Sequence, residues 1–208
     1  MKPRTLRELG GAALAFVPGA ALAAARTALV LIDYQHEYRA GPLALPDEAA
    51  ASAAARRLRD WADRSGVAVI HVQHRTPAGA PLFAEDSPGA APLDGLAPAA
   101  GETVIHKRMP SAFTGTRLAE VLAEKDIKTL LIAGYMTHNC VDSTAREAFH
   151  RGFRVAVVTD ASATRHLPGP NGAAIPAAAV HAAVMAGLGD RIAEVIEVAT
   201  VVSFEVGS

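Results

Sequence analysis

One cysteine in 208 residues, Cys140, stands where a buried strand hands over to a helix. The thiolate is the nucleophilic form of cysteine. The first turn of a helix favours that charge through its unpaired N–H groups and its dipole, so a thiol pKa below the free value of about 8.5 is expected. Two more chemistry-bearing side chains hold matching positions. Asp33 ends the apolar run 28–32, and Lys107 ends the weaker run 103–106. Singly, each has an ordinary use: an inert buried thiol, a turn or cap residue, a solvated surface charge. Together, at three strand ends, they supply a nucleophile, a proton carrier and a fixed cation.

The elements that must position them alternate. Around Cys140, residues 130–133 form a short apolar run that Gly134 breaks. Val141, Ala145, Ala148 and Phe149 then recur at helical spacing until Gly152 stops the helix. A helix is predicted over 47–65 with Gly66 as its stop, then a strand over 67–72. A further helix is predicted over 114–125 with Thr114 as N-cap, and a strand over 155–158 ending in Thr159 and Asp160. A last helix begins at Pro176 and runs to about Leu188, before a final strand. This order predicts a three-layer α/β/α domain on a mainly parallel, doubly wound six-stranded sheet. In such sheets, ligands bind outside the carboxyl ends of the strands. Between the strands ending near residues 72 and 106 lies a long loop with Pro77, Pro81, Pro88, Pro92 and Pro98, of the kind used for function or subunit contact.

The chain resembles cysteine hydrolases of the isochorismatase-like superfamily, which includes nicotinamidases, carbamoylsarcosine amidohydrolases and streptothricin hydrolase. The matching segments are 29–35 (Leu-Val-Leu-Ile-Asp-Tyr-Gln), 69–74, 101–107 with 111–113, and the highly specific 134–146 around Cys140. The resemblance extends over about residues 27–200 and implies a catalytic triad of Asp33, Lys107 and Cys140. It also implies a non-proline cis peptide between Tyr135 and Met136, and an oxyanion hole made by the Met136 and Cys140 backbone N–H groups. Candidate substrate-binding side chains are Gln35, Tyr38, His74, Phe113, Thr137 and His138.

Within the superfamily, nicotinamidases carry an Asp-x-His pair and a further His after the first helix. Here residues 47–50 read Asp-Glu-Ala-Ala, and His71 and His74, three apart on a strand, point to opposite faces. No metal and no cofactor are expected. The cysteine implies cleavage of a small molecule's C–N bond, amide or ureide, through a thioester. The alternatives are an isochorismatase-type vinyl-ether hydrolase in which Cys140 is incidental, and a catalytically idle scaffold on the same fold.

A net charge of −1, from 20 basic and 21 acidic residues, gives no sign of a nucleic-acid partner. No uninterrupted apolar stretch reaches the length of a membrane span. Residues 1–26 are expected to form an N-terminal arm and 27–208 the hydrolase domain. Lys2, Arg4 and Arg7 ahead of an apolar stretch imitate a signal peptide ending near residue 24, but Glu8, Gly10, Gly11, Pro18 and Gly19 interrupt it. A cytoplasmic homo-oligomer, dimer or tetramer, is the expectation, with export the alternative.

Overall fold

The computed structural model describes residues 3–11 and 16–207. Six strands form one all-parallel sheet: β2 (Thr27–Ile32), β3 (Ala68–His74), β4 (Thr103–Lys107), β5 (Thr129–Gly134), β6 (Arg154–Val158) and β9 (Glu194–Ile196). Their spatial order is β4-β3-β2-β5-β6-β9. The chain starts at the centre, winds out to one edge, returns to β5 and winds out to the other. The point of reversal therefore lies between β2 and β5.

Alternation along β2 shows how the layers form. Leu29 and Leu31 enter one apolar core with Leu58 and Trp61 of α2 (Glu48–Ser65) and with Val198 and Val201 of α6 (Val198–Val202). Ala28, Val30 and Ile32 enter the opposite core. There they meet Val121 of α3 (Leu118–Glu124), Ala145 of α4 (Asp142–His150) and Leu188 of α5 (Ala177–Arg191). Every residue of β2 and β5 is buried, as parallel strands covered on both faces require.

Three details differ from the sequence reading. The helix expected from Thr114 begins at Leu118, because Gly115 adopts a left-handed φ of 69° and the Leu118 N–H donates to the Thr116 hydroxyl instead. Pro176 occupies the N-cap of α5 rather than its first turn. Two small sheets were not anticipated: β7 (Leu167–Pro168) pairs with β8 (Ala174–Ile175), and β1 (Ala21–Ala23) pairs with β10 (Glu205–Gly207). The described parts of the N-terminal arm pack on the domain. Arg7 of α1 (Leu6–Leu9) pairs with Glu194 at 2.9 Å, and Leu6 N–H donates to Asp190 at 2.8 Å.

Gly134 closes β5 at the reversal point with φ 144°. A Cβ there would lie 2.1 Å from the Ile32 carbonyl oxygen and 2.8 Å from its carbon. Both neighbours are backbone of the central strand and cannot yield cheaply. Gly134→Ala is therefore expected to lose at least about 3 kcal/mol of stability or fail to fold, read by urea denaturation. A loss under about 1 kcal/mol would refute this reading of the contact.

Candidate active site

Asp33 follows β2, Cys140 follows β5, and Lys107 ends β4. Asp33 adopts φ 54°, a left-handed conformation that aspartate tolerates better than most residues. Lys107 lies two strands from β2, roughly 10 Å away at ordinary strand spacing. Only a long side chain spans that gap. Its stem crosses the end of β3, where His74 is its register partner. The Lys107 ammonium then meets three groups: Asp33 Oδ2 at 2.7 Å, Cys140 Sγ at 3.1 Å and His74 Nδ1 at 3.2 Å. An ammonium has three protons and here faces three acceptors. The side chains of Asp33 and Lys107 are fully buried, and Cys140 is nearly so.

Burial opposes the Lys107 charge, but Asp33 and Cys140 outweigh it and hold its pKa above the usual lysine range. The thiol corrects the sequence expectation. Burial first, and the neighbouring Asp33 carboxylate second, push the Cys140 pKa up to about 12, and Lys107 offsets only part of this. Cys140 also sits in a π-helical turn, Thr137–Val141, ahead of α4 rather than in an open first turn. Burial and the neighbouring Asp33 thus favour the protonated thiol over a standing thiolate. A thiol that passes its proton to Asp33 as it attacks needs no low pKa of its own. Asp33 Oδ1 meets no hydrogen-bond donor among the described residues, which leaves it able to accept that proton.

The surrounding side chains sort into two groups. Gln35, Phe113 and Thr137, expected as pocket walls, each make contacts within the scaffold. The Gln35 amide donates to the His74 and Ala90 carbonyls and accepts from the His74 N–H, so it fixes His74 and the long loop together. Phe113 packs between Phe153 and the Arg151 guanidinium. Thr137 is fully buried with its hydroxyl 2.9 Å from His181 Nδ1.

Tyr38 and His74 lie beside the reacting groups, whereas His138 bonds to the Thr164 hydroxyl. Burial first, then the neighbouring Asp33 and Cys140, raise the Tyr38 pKa, in keeping with a ring beside the triad. Burial and then Lys107 depress His74. Burial and then Arg165 depress His138.

Two contributors escaped the sequence reading. Phe83, from the proline-rich loop, packs on both Tyr38 (5.4 Å) and His74 (5.0 Å). Arg165 lies close enough for its charge to act on both Tyr38 and His138, with a buried Nε that meets no acceptor among the described residues. No local motif marked either one. Their place near the site depends on loops that cross the sheet's carboxyl edge.

The expected cis peptide is present between Tyr135 and Met136. The Met136 N–H has no backbone acceptor among the described residues. Among those residues, one cluster has the donor types for a metal: Asp33, His74 and Cys140, with donor atoms within 4.8 Å of one another. The Lys107 ammonium contacts all three and so holds the place a cation would take. His71, on the opposite face of β3, pairs with Glu102 at 2.9 Å. No helix among the described residues is long and apolar enough to cross a membrane.

Comparison with known proteins identifies the family. An isochorismatase domain matches residues 27–200. A secreted isochorismatase effector from Verticillium dahliae is 37% identical over 76% of this chain and 83% of its own length. A maleamate amidohydrolase from Pseudomonas putida is 33% identical over 68% of this chain and 74% of its own. The crystal structure of an isochorismatase from Pseudomonas putida KT2440 superposes with a TM-score of 0.88 at 40% identity, covering 96% of this chain and 99% of that one. With the domain matched over most of its length and the same fold in a solved relative, this chain belongs to the isochorismatase family of hydrolases.

Proposed function

We propose that the protein is a cysteine amidohydrolase that cleaves a C–N bond of a small amide or ureide through a thioester on Cys140. One observation carries the reading: a buried ammonium, Lys107, stands 2.7 Å from a carboxylate and 3.1 Å from a thiol at the reversal point of a doubly wound sheet. Cys140 Sγ attacks the substrate carbonyl carbon as Asp33 takes the thiol proton. The Met136 and Cys140 N–H groups receive the developing oxyanion. Asp33 returns the proton to the leaving nitrogen and then draws one from the water that hydrolyses the thioester. Lys107 holds Asp33 in place and stabilises the sulfur as it gains charge. The maleamate amidohydrolase among the relatives is consistent with this chemistry.

Arg165 further supports a substrate with an anionic group at the end remote from the scissile bond. Its guanidinium acts on Tyr38, which stands beside the triad. A charge-assisted hydrogen bond of this kind contributes about 1.5–3 kcal/mol, roughly 10–100-fold in affinity. Ammonia release from a carboxylate-bearing amide such as maleamate, compared with a neutral amide of the same size, tests the idea. Arg165→Ala is expected to raise KM about 10–100-fold for the first and leave the second unchanged. An equal effect on both would remove Arg165 as the anion partner.

We also propose a cytoplasmic homo-oligomer. The pairing of β1 with β10 and the Arg7–Glu194 ion pair support an arm retained as part of the fold. Exposed Val104 and Met109, on and just after edge strand β4, support subunit contact.

A further inference from the structure

The π-helical turn that carries Cys140 is closed by its own backbone: Asn139 N–H donates to the Met136 carbonyl at 3.0 Å, Val141 N–H to the same carbonyl at 3.3 Å, and Asp142 N–H to the Thr137 and Asn139 carbonyls. These bonds are internal to the turn, so a side-chain brace that ties it to a neighbouring element is informative. α5 packs over this turn and presents His181, whose two ring nitrogens are both engaged. Nδ1 lies 2.9 Å from the Thr137 hydroxyl, in the turn, and Nε2 lies 2.9 Å from the Thr159 hydroxyl, just beyond β6.

Both hydroxyl-bearing residues are themselves anchored. Thr137 N–H donates to Ala163 O at 2.9 Å, and Thr159 N–H donates to Ile196 O at 2.8 Å. A neutral imidazole has one donor and one acceptor, and each hydroxyl can play either part, so the chain Thr159–His181–Thr137 is complete in either tautomer. Burial depresses the His181 pKa and favours that neutral ring, with the Asp47 charge acting in the other direction.

We infer that His181 is a positioning residue for the Cys140 nucleophile, holding the turn through the Thr137 hydroxyl so that Sγ stays against Lys107 and Asp33. The inference rests on Cys140 being the nucleophile. Thr137 is three residues before Cys140 and directly follows Met136, so movement of its side chain rotates both the thiol and the two N–H groups proposed for the oxyanion. Geometry of this kind acts on the rate of attack more than on substrate affinity.

Three substitutions separate this role from simple attachment of α5 to the core. His181→Leu removes both bonds. His181→Asn places an amide where Nδ1 was, within reach of Thr137, and His181→Gln places one where Nε2 was, toward Thr159. A purely structural tie would be restored about equally by either amide. The probe is 4-nitrophenyl acetate, whose burst of nitrophenolate reports acylation, with the acetyl adduct on Cys140 verified by intact mass and Cys140→Ala as control.

The expected result is a roughly tenfold or greater fall in the acylation rate constant for His181→Leu with apparent KM within about twofold. His181→Asn should recover to within about threefold of wild type, and His181→Gln should not. If His181→Leu does not fold, Thr137→Val removes the same bond from the other side and should show the same fall. A wild-type rate in His181→Leu or Thr137→Val, or equal recovery by both amides, overturns the positioning role alone. A wild-type chain that shows no Cys140-dependent burst overturns the nucleophile reading, and this inference with it.

Discussion

Cys140→Ala will abolish turnover of the true amide substrate, by roughly 10⁴-fold or more, while leaving the fold intact. The side chain is buried between an apolar core and the Lys107 ammonium, and losing one sulfur removes little packing, so the melting temperature should fall by only a few degrees. The loss is large because no neighbouring group can replace the nucleophile: Asp33 lies beside it but is needed to carry the proton. Asp33→Asn should cost nearly as much, since acylation and deacylation each require that transfer, and residues acting as a unit lose rate non-additively.

The same pair distinguishes the amidase from the vinyl-ether hydrolase. In the latter, Asp33→Asn would remain severe while Cys140→Ala kept most activity, because no covalent intermediate forms. Ammonia release by the purified variants, with intact-mass detection of an acyl adduct on wild-type Cys140 quenched during turnover, gives the answer. An active Cys140→Ala enzyme would end the amidase proposal.

Lys107→Met should lose about 10³-fold or more in activity and, unlike Cys140→Ala, a large share of stability. The reason is electrostatic. Removing one partner of a fully buried ion pair strands the other charge, at a cost of about 3–5 kcal/mol. The double variant Asp33→Asn with Lys107→Met removes both charges, so it should regain most of that stability and none of the activity. If the double variant were as unstable as the single one, the ion pair would not be the source of the loss.

Thiol titration supplies a second reading of the same site. Burial and Asp33 raise the Cys140 pKa and Lys107 lowers it, so iodoacetamide alkylation of the wild type should climb with pH and not level off before about pH 10. Lys107→Met removes the lowering influence and should slow alkylation further at any given pH. A plateau near pH 7 would show a standing thiolate, contrary to this electrostatic balance.

Local sequence chemistry determined much of this protein. Apolar runs of strand length, helical spacing after each, and glycines at the breaks were enough to place Asp33, Lys107 and Cys140 at strand ends, because such patterns depend on near neighbours along the chain. The segment around Cys140 was specific enough to indicate the family as well. What only the tertiary structure decided concerns groups far apart in sequence. Gln35, Phe113 and Thr137 are expected as pocket walls from sequence, and their contact partners His74, Ala90, Phe153 and His181 come from other elements.

The environment of the thiol depends on folding in the same way. Position at a helix start argues for a thiolate, but burial and a carboxylate delivered by β2 push the thiol pKa up by more than Lys107 lowers it. Arg165, Phe83 and His181 carried no local signal, since their roles arise only where loops and α5 fold back over the carboxyl edge of the sheet. Strand ends can be read from a sequence because backbone pattern is local. The electrostatics between those ends depend on distances of a few ångströms across the sheet, which the chain sets only by folding.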